Sequence, residues 1–235
     1  MNSLLKSVAV VGALLVSSSA FAAPVEVSQQ GSSVFDSNGH VGVTINSTDP
    51  VKNGGVNAGG FALNGDIHGN GAEDFVAFCA DILHTIFLPS DYNVSSDGTT
   101  IGLGATQIAN IQKLFNTAYE NVASNITDNN TSAGFQLALW ELMYETGSAF
   151  DVNSGSFKIT GGDGARNFAN GLLGNLDDTP TASYKLTFLQ SAERKDGNLS
   201  QNLITAAVVP LPAAGLLLLA GLGGLGIVAR RKKTA

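Results

Sequence analysis

The 235-residue chain contains one cysteine, Cys79, in the segment Phe78-Cys79-Ala80-Asp81, and His84 follows the aspartate by three positions. A lone thiol can pack as a small hydrophobe, or it can attack a carbonyl if a base is at hand. Cys79, His84 and Asp81 are the right residue types for a nucleophile, its base and an orienting carboxylate. On a strand running through Ile82, however, odd and even positions face opposite sides, which points Cys79 and His84 apart. No Gly-x-Ser-x-Gly elbow accompanies them. A second constellation is Gln136, Trp140 and Tyr144, each four residues from the next, which places a carboxamide beside two large aromatics on one helical face. Buried amides are usually satisfied by backbone groups. A third is Asp66-x-His68-x-Asn70-Gly71-x-x-Asp74, which alternates oxygen ligands before a glycine as calcium loops do. Its twelfth position is Ala77 where a bidentate glutamate belongs, so it reads as a turn between strands. His40, His68 and His84 have no zinc-ligand spacing with Cys79. No metal, cofactor or catalytic signature is expected.

The elements that must position these residues lie between two apolar segments. Residues 1–22 have the form of a secretory signal peptide: Lys6, an apolar run from Val8 to Val16, and Ala20-Phe21-Ala22 before a cut at Ala23. The second segment, 209–235, holds Val209-Pro210-Leu211-Pro212-Ala213, an apolar run from Ala213 to Ala229, and the cluster Arg230, Arg231, Lys232 and Lys233. The run just reaches spanning length, and the cations act as a stop-transfer signal that puts the C-terminus in the cytoplasm. Export makes an unpaired cysteine unusual, because oxidising compartments favour disulfides. Between the signals, residues 23–207 form an ectodomain carrying all 19 acidic residues but only 7 of the 12 basic ones, a surplus of 12 negative charges. That balance excludes nucleic acid as a partner. Its abundance of Gly, Asn, Ser, Asp and Thr predicts short strands joined by turns. Strands are expected at Val25–Ser28, Val41–Asn46, Asn57–Leu63, Phe75–Ile82, Tyr92–Ser95, Phe157–Thr160, Tyr184–Gln190 and Leu203–Val208. Ile108, Ile111, Phe115, Ala118, Tyr119 and Val122 predict an amphipathic helix over Ala105–Ala123. A second helix, capped by Thr131 or Ser132, runs through Phe135, Leu139, Leu142 and Met143 to a stop at Gly147. Ser124 to Thr131 is expected to be an exposed loop. The fold class is α+β: an antiparallel β-sandwich or barrel-like sheet with a small helical subdomain.

Two resemblances attach to these residues. Val209-Pro210-Leu211-Pro212-Ala213, the apolar span and the basic cluster resemble the VPLPA-CTERM variety of the PEP-CTERM sorting signals of Gram-negative bacteria. That resemblance implies an inner-membrane-anchored precursor recognised by an exosortase-type transpeptidase. The enzyme would cut near the Pro-rich motif and pass the ectodomain to the cell surface or extracellular matrix. Phe78-Cys79-Ala80-Asp81 together with Phe135-Gln136-Leu137-Ala138-Leu139-Trp140 resembles the thioester domains of bacterial surface proteins. It implies an internal thioester between Cys79 and Gln136, shielded by Phe78, Phe135, Trp140 and Tyr144. Such a bond acylates an amine or hydroxyl on a surface target, once per chain rather than catalytically. Asp81, Glu141 and His84 are candidates to protonate the departing ammonia. The alternatives are a non-covalent structural or adhesive matrix protein with a merely buried cysteine, and a Cys-dependent hydrolase.

Overall fold

The computed structural model describes residues 23–35, 39–147, 149–176, 183–192 and 197–208. The signal peptide, the Pro-rich motif, the run Ala213–Ala229 and the basic cluster lie outside the described residues. Among those described, no helix is long and apolar enough to cross a membrane.

The described residues form nine strands: β1 Val25–Gln29, β2 His40–Thr48, β3 Val51–Gly59, β4 Phe61–Gly65, β5 Glu73–Cys79, β6 Ser90–Ser95, β7 Phe157–Thr160, β8 Tyr184–Ser191 and β9 Leu203–Val208. Six close an antiparallel barrel in the order β1-β4-β5-β9-β8-β6, and β3-β2-β7 make a separate sheet. Closure pairs the barrel strands on both sides, except at the Cys79 end of β5, which runs past β4. Three helices complete the α+β fold: α1 Ala105–Ser124, α2 Asn129–Tyr144 and α3 Asp163–Gly174. They do not stand apart as a subdomain. Helix α2 packs on α1 and α3 and on β2, β3 and β7, and every residue from Ser132 to Met143 is buried. A helix covered on all sides needs no polar face, which is why its sequence is apolar nearly all round. Helix α1 is the amphipathic one, burying Ile111, Leu114, Phe115, Ala118, Tyr119 and Val122. Phe78, Phe115, Tyr119 and Phe135 cluster between barrel and helices, with Phe78 and Phe135 centroids 4.5 Å apart.

Several expectations are corrected. Asn57–Leu63 is not one strand: the chain leaves the second sheet at Gly59 and enters the barrel at Phe61. Gly60 sits at the crossing, where a Cβ would come within 2.9 Å of both Ile126 and the Phe78 ring, so only glycine fits. β3 also extends back to Val51 through a Gly/Asn-rich stretch with weak strand propensity, held by pairing to β2 along its whole length. β5 stops at Cys79, not Ile82. Ser124–Thr131 is exposed as expected except at Ile126, which is buried, and Thr131, which is half-buried, but only the four residues 125–128 lie between α1 and α2. The α2 cap is Asp128, whose Oδ1 accepts from the Thr131 N–H at 2.7 Å, rather than Thr131 or Ser132. Helix α3 was not expected. Asp66 to Ala72 joins β4 to β5 as a turn, with Gly69 and Gly71 at positive φ and His68 paired to Glu73 across it.

Candidate functional site

The geometry around Cys79 starts from a gap in the barrel. β4 and β5 pair with Phe61 opposite Ala77, and the same register would put Gly59 opposite Cys79. Gly59 instead pairs with His40 in the second sheet, so the edge of β5 at Cys79 loses its strand neighbour. Buried peptide groups must find other partners, and α2 supplies them with side chains four residues apart. Gln136 Oε1 accepts from the Cys79 N–H at 2.8 Å, and Gln136 Nε2 donates to the Cys79 carbonyl at 2.9 Å. Ser132 Oγ accepts from the Gly60 N–H at 2.9 Å. The carboxamide thus takes the place of a peptide group, fully buried. The two segments singled out in the sequence, 57 residues apart, meet at one residue.

The thiol turns away from the strand into the following bend. Cys79 Sγ donates to the Asp81 carbonyl at 3.0 Å and accepts from the Asp81 N–H at 3.3 Å. Burial pushes the thiol up to about 12. The Asp81 N–H and the nearby Trp140 indole favour the thiolate but do not offset the desolvation. At neutral pH the sulfur is therefore a thiol, and reaction requires a group to take its proton. Tyr144 Oη donates to the Ala80 carbonyl at 3.3 Å, and burial raises its pKa, with the charges of Cys79 and Asp81 adding to the shift.

Cys79, Gln136 and Trp140 open on one cavity of about 290 Å³ between the end of the barrel and the second sheet. His84 lines it too, which corrects the expectation that Cys79 and His84 point apart: strand parity ends with β5 at Cys79, and the bend brings the histidine round. His84 Nδ1 lies 2.5 Å from Asp81 Oδ2, while Asp81 Oδ1 accepts from the Leu83 and His84 N–H groups. Glu141 is not among the cavity walls; its Oε1 accepts from the Asp151 N–H at 2.8 Å. Of the four residues expected to shield the bond, Trp140 lines the cavity and Tyr144 reaches Ala80. Phe78 and Phe135 are fully buried in the aromatic cluster instead. Lys52 of β3 and Gln201, just before β9, also reach the cavity. Sequence alone gave no reason to choose them: Gln201 is brought in by the pairing of β9 with β5, and Lys52 comes from a separate sheet.

Residues 208–233 match the PEP-CTERM protein-sorting motif. They begin where β9 ends, so the described fold gives way directly to the sorting segment. Such a signal marks an exported precursor that an exosortase-type enzyme processes. No curated protein and no solved structure matches the chain.

Proposed function

We propose that this is an exported surface or matrix protein that attaches covalently to a partner through an internal thioester between Cys79 and Gln136. The observation carrying the proposal is the docking of the Gln136 carboxamide on both peptide groups of Cys79. It places the amide at the one residue that bears a thiol and puts an N–H donor on the oxygen that gains charge when sulfur adds. In the bond-forming step sulfur attacks Gln136 Cδ, the tetrahedral intermediate expels ammonia, and the thiol proton leaves with it. Fixed placement supplies what an unreactive amide needs, and the buried setting limits hydrolysis of the product. A nucleophile from the partner then takes the acyl group, leaving a free Cys79 thiol and an amide or ester on Gln136. The reaction occurs once per chain and is not turnover. The VPLPA-type sorting segment, with its membrane-spanning run and cytoplasmic cations, delivers the domain to the surface.

Intact mass of the full-length chain tests this. A wild-type chain one ammonia lighter than its sequence is expected, with Cys79→Ala and Gln136→Ala each at full mass, and methylamine adding once to the wild type only. A wild type at full mass whose native thiol labels freely overturns the thioester.

A second reading rests on the same two hydrogen bonds. Gln136 satisfies a strand end that would otherwise hold buried unpaired groups, which is a purely structural task. In that case the domain is a non-covalent matrix component, and partner binding survives Cys79→Ala.

A further inference from the structure

Two residues of the cavity wall, Trp140 and Gln201, each carry a buried polar atom without a hydrogen-bond partner. Trp140 Nε1 is a buried donor with no hydrogen-bond partner, and Gln201 Oε1 is a buried acceptor with none. The orientation of the Gln201 amide is fixed, because its Nε2 donates to the His84 carbonyl at 2.6 Å. Buried groups left this way are costly unless a ligand or water meets them. A hydroxyl both donates and accepts, whereas an ammonium can only donate. The half-buried Lys52 on the same cavity also repels an incoming ammonium.

His84 supplies what a hydroxyl needs and a free amine does not. Asp81 Oδ2 holds Nδ1 at 2.5 Å and so leaves Nε2 as the ring's acceptor. Asp81 is in turn fixed by two backbone N–H groups. An alcohol is far too weakly acidic to ionise unaided near neutrality, so its attack on an acyl carbon depends on a base that removes its proton in the transition state. The small fraction of an amine that is unprotonated attacks without help.

We propose that the cavity selects a hydroxyl nucleophile, an alcohol of a polyol, sugar or serine-like side chain, and that His84 is the general base for its acylation by Gln136. The inference rests on the thioester proposed above. The alcohol oxygen bonds to Gln136 Cδ as His84 Nε2 takes its proton. The intermediate collapses with loss of the Cys79 thiolate, and the imidazolium returns the proton to sulfur, giving an ester and a thiol. The titratable groups around His84 are Asp81 on its own bend, Lys52 from β3 and Cys79 at the end of β5.

Adduct formation by the full-length chain, followed by intact mass, tests this with glycerol, N-acetylserinamide and methylamine. Glycerol and N-acetylserinamide separate a carbohydrate-like from a serine-like source, and ester formation with either supports the hydroxyl class. Among chains that carry the ammonia deficit, His84→Ala is expected to lose about 100-fold or more in ester formation and to change methylamine addition less than about threefold. Added imidazole should restore part of the ester rate, which a purely structural role would not allow. Equal loss with alcohol and amine, or no loss with either, overturns the role of His84. An ammonia deficit together with methylamine adducts but no ester from any alcohol overturns hydroxyl selection while leaving the thioester standing. A wild type without the deficit removes both.

Discussion

Gln136 and Glu141 lie on the same helix, five residues apart, and both are fully buried, yet the protein treats them in opposite ways. Gln136 has both polar atoms paired with the Cys79 peptide groups, so a neutral amide fills an edge that a strand would otherwise occupy. Glu141 has only one oxygen paired, to the Asp151 N–H, and its Oε2 has no partner. Burial pushes the Glu141 carboxyl up to about 7, with the neighbouring carboxylates of Glu145 and Asp151 adding to the shift. Charge makes the difference. An amide brings a donor and an acceptor and can stand in for a peptide group, whereas a carboxylate brings acceptors alone and must take up a proton to be buried cheaply. One side of α2 is therefore indifferent to pH and the other is not.

The largest effect is expected on the Gln136 side. In a Cys79→Ala background, where Gln136 keeps its amide, Gln136→Leu keeps the volume but strands the residue 79 N–H and carbonyl, two buried groups at about 1–3 kcal/mol each. A loss of about 2–5 kcal/mol should appear in urea unfolding, independent of pH between about 5 and 8. A loss below about 1 kcal/mol would mean that water reaches the strand end and that the amide is not a peptide surrogate.

A smaller effect that varies with pH is expected on the Glu141 side. The folded pKa lies above the ordinary 4.5, so the native state binds more protons than the unfolded chain between these values. Stability from this group is then complete at low pH and falls as pH rises through about 7. The wild type should lose about 1–2 kcal/mol between about pH 5 and about pH 8, and Glu141→Gln should flatten that slope. An unchanged slope in the variant would assign the pH dependence to another group.

The two sides of α2 also differ in how far they could be read from the sequence. The spacing of Gln136, Trp140 and Tyr144 predicts one helical face, and Gln136 and Trp140 do share a cavity while Tyr144 bonds to Ala80 beside them. Phe157–Thr160 and Leu203–Val208 appear with their expected bounds, because each is a short apolar run between turn residues. The break at Gly60 was hidden, since Asn57–Leu63 reads as one strand unless Ile126 and Phe78 are known to crowd that glycine. The convergence of His84 with Cys79 was hidden for a related reason: where a strand stops depends on its partners, and parity inverts once it stops. Helix α3 did leave a signal in Ala165, Ala169 and Leu173, buried at four-residue spacing, but small residues give a weak apolar pattern. What Glu141 faces depends on the Asp151 loop, and no local pattern records that.

The smallest expected effect concerns the start of α2, before its two sides diverge. Asp128 is exposed and caps the helix through the Thr131 N–H, and that hydrogen bond holds its carboxyl below the usual carboxylate range. Asp128→Ala should cost about 1 kcal/mol. Because the carboxyl is ionised throughout the range from about pH 5 to about pH 8, the loss should be the same at both ends, and the ammonia deficit should persist. The cap helps fix where α2 begins, but burial from Ser132 to Met143 holds the helix in place, so a frayed first turn should not move Gln136 away from Cys79. If Asp128→Ala abolished the deficit as Gln136→Ala is expected to, the placement of the carboxamide would depend on the cap rather than on packing, and the contrast between the two sides of the helix would lose its basis.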